Sequence, residues 1–171
     1  LHNKDYYFSI TNQKPKDLAA DGYVDKTNKK IFLSSAPEKN GALNTVFVHE
    51  LAHKAQDPNI TWNTTPLLKI NLLNKEKNPM GISQELIDYA SNPNEVEARR
   101  MSTLYYLSKN NIDFRNIKKE NLDNLYLNKE KLPYDIKQLL DLYYLQQDDL
   151  LNYLNGNFNK YKSMDDLEED F

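Results

Sequence analysis

His49-Glu50-Leu51-Ala52-His53 sets two of the chain's three histidines four residues apart, with a glutamate directly after the first. On an α-helix, positions i and i+4 share a face, so the two imidazoles would be offered to one point. Glu50 is near enough to reach a water held at that point. The implied chemistry is metal-assisted hydrolysis, with two nitrogen ligands and a carboxylate acting as general base. Five positions with three fixed residues also recur by chance, and two solvated surface histidines are the plain alternative. The apolar neighbours Val46, Phe47, Val48 and Leu51 argue instead for a helix that packs on one side.

Catalytic zinc takes three protein ligands and leaves a fourth position open. Cysteine is absent, which excludes disulfides and thiolate ligands and restricts the third ligand to His, Asp or Glu. The extended three-histidine pattern H-E-x-x-H-x-x-G-x-x-H fails, because Gln56 stands at its glycine position and Asn59 at its last histidine. His2 is the only other histidine and lies near a chain end, a poor place for a ligand. A glutamate from a following helix remains, and Glu95 and Glu97 are the candidates. Asn92-x-x-Glu95 also matches a capping box, in which the glutamate returns to a backbone N–H, and Glu97 also reads as an exposed helix carboxylate.

His49-Glu50-Leu51-Ala52-His53 followed by Glu95-Val96-Glu97-Ala98-Arg99 resembles a small gluzincin-type zinc metallopeptidase, a group whose third ligand is a glutamate on a second helix. The Pro93-Asn94-Glu95-Val96-Glu97-Ala98-Arg99 segment is similar to that of compact phage- and mobile-element-encoded zincins. The likeness to ImmA/IrrE-like peptidases is more distant, since Arg99 stands where their pattern has Asp or Asn. The resemblance covers roughly residues 20–105. It implies a Zn2+ cofactor held by His49, His53 and Glu95, with Glu50 as general base for hydrolysis of a protein or peptide substrate. A strand bordering the cleft, here the one ending near Ser35, would pair with that substrate. Arg99 and Arg100 are candidates to orient a ligand carboxylate or hold a substrate oxyanion. A tyrosine from a set that includes Tyr89, Tyr105 and Tyr106 is a candidate oxyanion donor. A competing function is a non-catalytic zinc-binding structural or interaction module, associated with a virion or a polyprotein.

The elements that must position these residues are legible in outline, and they predict an α+β fold. Residues 5–10 are aromatic and β-branched and read as a strand, and the Lys16–Ala20 region holds a short helical turn. Gly22-Tyr23-Val24-Asp25 and Lys30-Ile31-Phe32-Leu33-Ser34, joined by Lys26-Thr27-Asn28-Lys29, read as a hairpin. Together they predict a small antiparallel N-terminal sheet packed on a helical core. The histidine helix begins after Asn40-Gly41 and ends near Gln56, before Asp57-Pro58, with Leu43, Val46, Phe47, Leu51 and Ala55 facing inward. Trp62 falls in a loop, and short helices follow at 67–75 and 84–90. Asn92-Pro93 opens a helix running to about Lys109, with Ala98, Met101, Leu104 and Tyr105 as its buried stripe. Helices at 118–127 and 134–155 complete the chain, the last with Ile136, Leu139, Leu140, Tyr143, Leu150, Leu151 and Leu154 on one apolar face. The expected organisation is a zincin-like core over 1–110 and a helical C-terminal extension over 111–171, ending in the acidic run Asp165-Asp166-Leu167-Glu168-Glu169-Asp170.

With 171 residues the chain is one domain-sized unit. A mean hydropathy of −0.81 with no long apolar run excludes a spanning helix. A net charge of −3 with scattered basic residues gives no electrostatic footprint for nucleic acid. The lack of cysteine favours a cytoplasmic or virion-associated setting over secretion. The chain opens on Leu1 with no signal-peptide pattern, which suggests a processed product or part of a longer protein.

Overall fold

Tyr7–Thr11 (β1), Gly22–Asp25 (β2) and Lys30–Ser34 (β3) form one sheet in the order β1-β3-β2. The computed structural model describes residues 7–11, 22–34, 43–56, 61–62, 81–156 and 160–161. β2 and β3 make the expected antiparallel hairpin, with Tyr23 opposite Phe32. Its turn is held by the Asp25 carboxylate, which accepts from the Asn28 backbone N–H at 2.9 Å and the Asn28 side-chain amide at 2.8 Å. Lys29 completes the reversal at φ 54.

β1 departs from the antiparallel expectation. It pairs with β3 in parallel, Ser9 opposite Phe32, so the sheet is mixed. The segment between β1 and β2 is long enough for either return, and alternation alone does not fix strand direction. One consequence reaches the site: β3 is the central strand, with Ile31 and Leu33 buried, and β2 is an edge among the described residues.

The histidine helix spans Leu43–Ala55 (α1) and packs on β2, β3 and the helix Pro93–Lys109 (α3). Its most deeply buried residues are Thr45, His49 and Glu50, while Val46, Phe47 and Leu51 are half-buried and Ala55 is exposed. The polar face is turned inward because it meets α3 there. Gln84–Ala90 forms the expected short helix (α2). Asn92 caps α3 by accepting from the Asn94 N–H at 3.0 Å, with Pro93 at the start of the helix. The expected stripe on α3 is only partly realised. Ala98 is buried, but Met101 is exposed, and Val96, Arg99, Ser102, Thr103 and Leu107 are interior instead. α3 lies between α1 and the helix Tyr134–Leu142 (α5), so it buries two faces, one of them polar.

Lys119–Leu127 (α4) follows, then a 3-10 turn at Lys129–Lys131. The single helix expected over 134–155 is two, α5 and Gln147–Leu154 (α6), separated by a turn at residues 143–146. Tyr143 and Leu150 are seven positions apart, two helical turns, so the apolar period runs through the break without recording it. The fold-back lets Ile136, Leu139, Leu140, Tyr143, Leu150 and Leu154 join Val96 and Leu107 in one apolar cluster. Each such aliphatic side chain contributes on the order of 1.5–3 kcal/mol by leaving water. Trp62 lies in a two-residue strand, Thr61–Trp62 (β4), rather than a loop, and pairs antiparallel with Lys160–Tyr161 (β5). The whole is α+β, as expected. No helix among the described residues is long and apolar enough to cross a membrane. The turn at Lys16–Ala20, the helix at 67–75, His2 and the acidic run fall outside the described residues.

Candidate metal centre

α1 delivers His49 and His53 from one face, and the first turn of α3 delivers Glu95 opposite them. The two Nε2 atoms stand 3.0 Å apart. Glu95 Oε1 lies 3.2 Å from His53 Nε2 and Oε2 lies 3.4 Å from His49 Nε2. One ligand atom from each of the three falls within 4.8 Å of the others. Tetrahedral zinc with bonds of about 2.0–2.1 Å separates its ligand atoms by about 3.3 Å, so the trio has the spacing such an ion needs.

The outer hydrogen bonds make the same point. His49 Nδ1 donates to Asp135 Oδ2 at 2.9 Å, and Ser102 Oγ donates to the same oxygen at 2.7 Å. An ionised carboxylate only accepts, so the proton of a neutral His49 sits on Nδ1 and Nε2 presents a lone pair. His53 Nδ1 pairs with Gln56 Oε1 at 2.9 Å. Two imidazole lone pairs and a carboxylate thus converge on one point, which is stable only around positive charge. Without a metal, that charge must be a proton. Burial of His49 opposes protonation, but Asp135 and Glu95 outweigh it and raise the imidazole to about 9. Glu95 is lowered despite burial, because both imidazoles hydrogen-bond to it.

Glu50 is buried beneath β2. A Cβ on Gly22 would stand 2.9 Å from Glu50 Cγ and Oε1 and 3.0 Å from Val46 Cγ1, so any larger residue there would push on this carboxylate or on the strand. Burial raises Glu50 to about 7, against the lowering pull of His49 and His53. A carboxyl tuned near neutrality suits a group that takes and returns a proton.

Glu50, His53 and Glu95 line a cleft of about 450 Å³, with His49 buried behind them. One wall is β2 and the turn that follows it, through Gly22, Val24 and Lys26, and the other is the α2–α3 junction, through Tyr89, Asn92 and Asn94. The strand at the cleft is therefore β2, not the one ending near Ser35. β3 has a neighbour on each side, whereas β2 pairs only with β3 among the described residues.

Glu97 does not face the imidazoles. It accepts from the Tyr153 hydroxyl at 3.0 Å and meets Arg100 at 3.6 Å, on the side of α3 toward α6. Arg100 donates to the carbonyls of Tyr153 at 3.0 Å and Leu154 at 3.2 Å, fastening the end of α6. Arg99 reaches the centre: its guanidinium is 3.5 Å from Glu95 Oε2 and 3.9 Å from Asp135 Oδ1, and donates to Gln138 Oε1 at 3.2 Å. Of the three tyrosines, Tyr89 lines the cleft, interacts with Glu95 and lies 5.5 Å from the Arg99 guanidinium, while Tyr105 and Tyr106 do not line it.

Sequence reasoning missed Asp135, Ser102 and Gln138. Ser102 and Gln138 carry no local motif. Asp135 had one faint signal, an acidic residue in the first turn of a helix, which is also the commonest solvated position. No protein-family model, no curated protein and no solved structure matches this chain.

Proposed function

We propose that the chain is a zinc-dependent metalloendopeptidase that hydrolyses a protein or peptide laid along the edge of β2 that carries no strand among the described residues. The observation that carries the reading is one cleft lined by His53, Glu95 and the Glu50 carboxylate, with His49 directly behind at ligand distance and β2, which pairs only with β3 among the described residues, along one wall. Zinc held by His49, His53 and Glu95 would supply Lewis acidity to the scissile carbonyl and acidify a water. Glu50 takes the proton of the attacking water as the new C–O bond forms. As the C–N bond breaks, Glu50 passes that proton to the leaving amine. Gly22 leaves room for this carboxylate under the substrate strand, and the β2 backbone supplies hydrogen bonds to an extended peptide. Tyr89, across the cleft, would turn its hydroxyl from Glu95 to donate to the developing oxyanion.

The test is zinc content by elemental analysis, together with chelator-sensitive cleavage of unfolded protein substrates. Glu50→Gln is expected to keep its zinc and lose hydrolysis by a factor of at least about 100. Cleavage that survives chelation or this substitution overturns the mechanism. Zinc binding with no cleavage of any unfolded substrate would leave the non-catalytic zinc module as the function.

A further inference from the structure

Gln56 stands where the three-histidine class of this motif requires glycine, and the structure gives that position a use. Its backbone N–H still bonds to Ala52 O at 3.0 Å, so the chain keeps helical geometry through it. The side chain, three residues after His53, therefore returns over the same face. The amide has two ends and both are engaged. Nε2 donates to Asn94 O at 2.7 Å, and Oε1 faces His53 Nδ1 at 2.9 Å.

The backbone carbonyl fixes the chemistry of the rest. A carbonyl only accepts, so the NH2 group of the amide must face Asn94 and the C=O must face His53. Nδ1 of His53 must then carry the proton, and its Nε2 is bare toward Glu95 and His49. The same amide ties the end of α1 to the first turn of α3, at the residue before Glu95. We propose that Gln56 is a positioning residue of the centre: one end sets the tautomer and ring orientation of His53, and the other holds the glutamate-bearing turn at ligand distance from the imidazoles. A glycine there would supply neither. The inference rests on the metal-centre reading but not on catalysis.

Zinc ion alone, titrated against a chromophoric chelator, separates the possibilities. Gln56→Leu removes both ends and is expected to weaken zinc binding about 10- to 100-fold. Gln56→Glu keeps an acceptor for His53 and loses the donor to Asn94, so its affinity is expected between wild type and Leu. In the metal-free protein, nitrogen NMR should place the His53 proton on Nδ1 in wild type and Gln56→Glu, and show mixed tautomers in Gln56→Leu. Gln56 is half-buried at a helix end, so all three proteins should fold. Wild-type affinity in Gln56→Leu, or equal losses in the Glu and Leu variants, overturns the proposal. Failure of the wild-type protein to bind zinc overturns the metal centre itself.

Discussion

Asp135, at the start of α5, accepts from His49 Nδ1 at 2.9 Å across 86 positions of sequence. The contact fixes which nitrogen of His49 is free to face Glu95. It also brings a negative charge against the ring, which strengthens the remaining nitrogen as a donor to a cation. Asp135→Ala is expected to lower zinc affinity about 10- to 100-fold, read by competition with a chelator. Unchanged affinity would remove Asp135 from the centre.

The pH response of the metal-free protein follows from two raised groups. His49 stands at about 9 against 6.5, so the folded state binds its proton more tightly than the unfolded chain does. That stabilisation is complete below about pH 6.5 and is lost as pH rises through about 9. Glu50, raised from 4.5 to about 7, acts in the same direction at lower pH. Denaturant melts of the metal-free protein should therefore show stability falling from pH 6.5 to 9, on the order of 1–3 kcal/mol. Zinc affinity should move oppositely, rising about tenfold per unit over that range as the competing proton leaves. A flat stability profile would mean that His49 is not held protonated.

Gly22→Ala puts a methyl group where Glu50 and Val46 already stand. The strand or the carboxylate must shift, at a cost of about 1–3 kcal/mol. Glu50 is not a proposed ligand, so zinc content should stay at the wild-type level while hydrolysis falls at least about tenfold. Wild-type turnover with an unchanged melting temperature would show that β2 has room to spare.

Glu95→Gln should abolish tight zinc binding, and Glu97→Gln should leave it intact. Glu97 instead meets Tyr153 and Arg100, so its substitution is expected to show as a lower melting temperature. Reversed zinc contents in the two variants would exchange their assignments.

The local features were readable because their causes are local. Asp25 and Asn28 build the β2–β3 turn within four residues, Asn92-Pro93 opens α3, and His49 and His53 share a helix face by period alone. The break between α5 and α6 was hidden because Tyr143 and Leu150 stay in phase across it. The direction of β1 was hidden because alternation is the same in either sense. Of the groups behind the imidazoles, Asp135 and Gln138 lie on a helix distant in sequence from both His49 and Arg99, and no spacing rule joins them. The apolar stripe of α3 is not legible because one of its interior faces is polar: Arg99 and Ser102 occupy positions that a core helix ordinarily gives to leucine.

Asp135 and Gln138 also impose an order in time. During synthesis His49, His53 and Glu95 leave the ribosome first, while the carboxylate that orients His49 and the amide that meets Arg99 follow only with α5. A nascent chain halted before α5 would carry all three candidate ligands, with one imidazole free to turn and Arg99 lacking two of its contacts. The hydrogen bonds that orient His49 and Arg99 are completed only when α5 docks, which ties the arrangement of the cluster to the folding of a later helix rather than to the emergence of its motif.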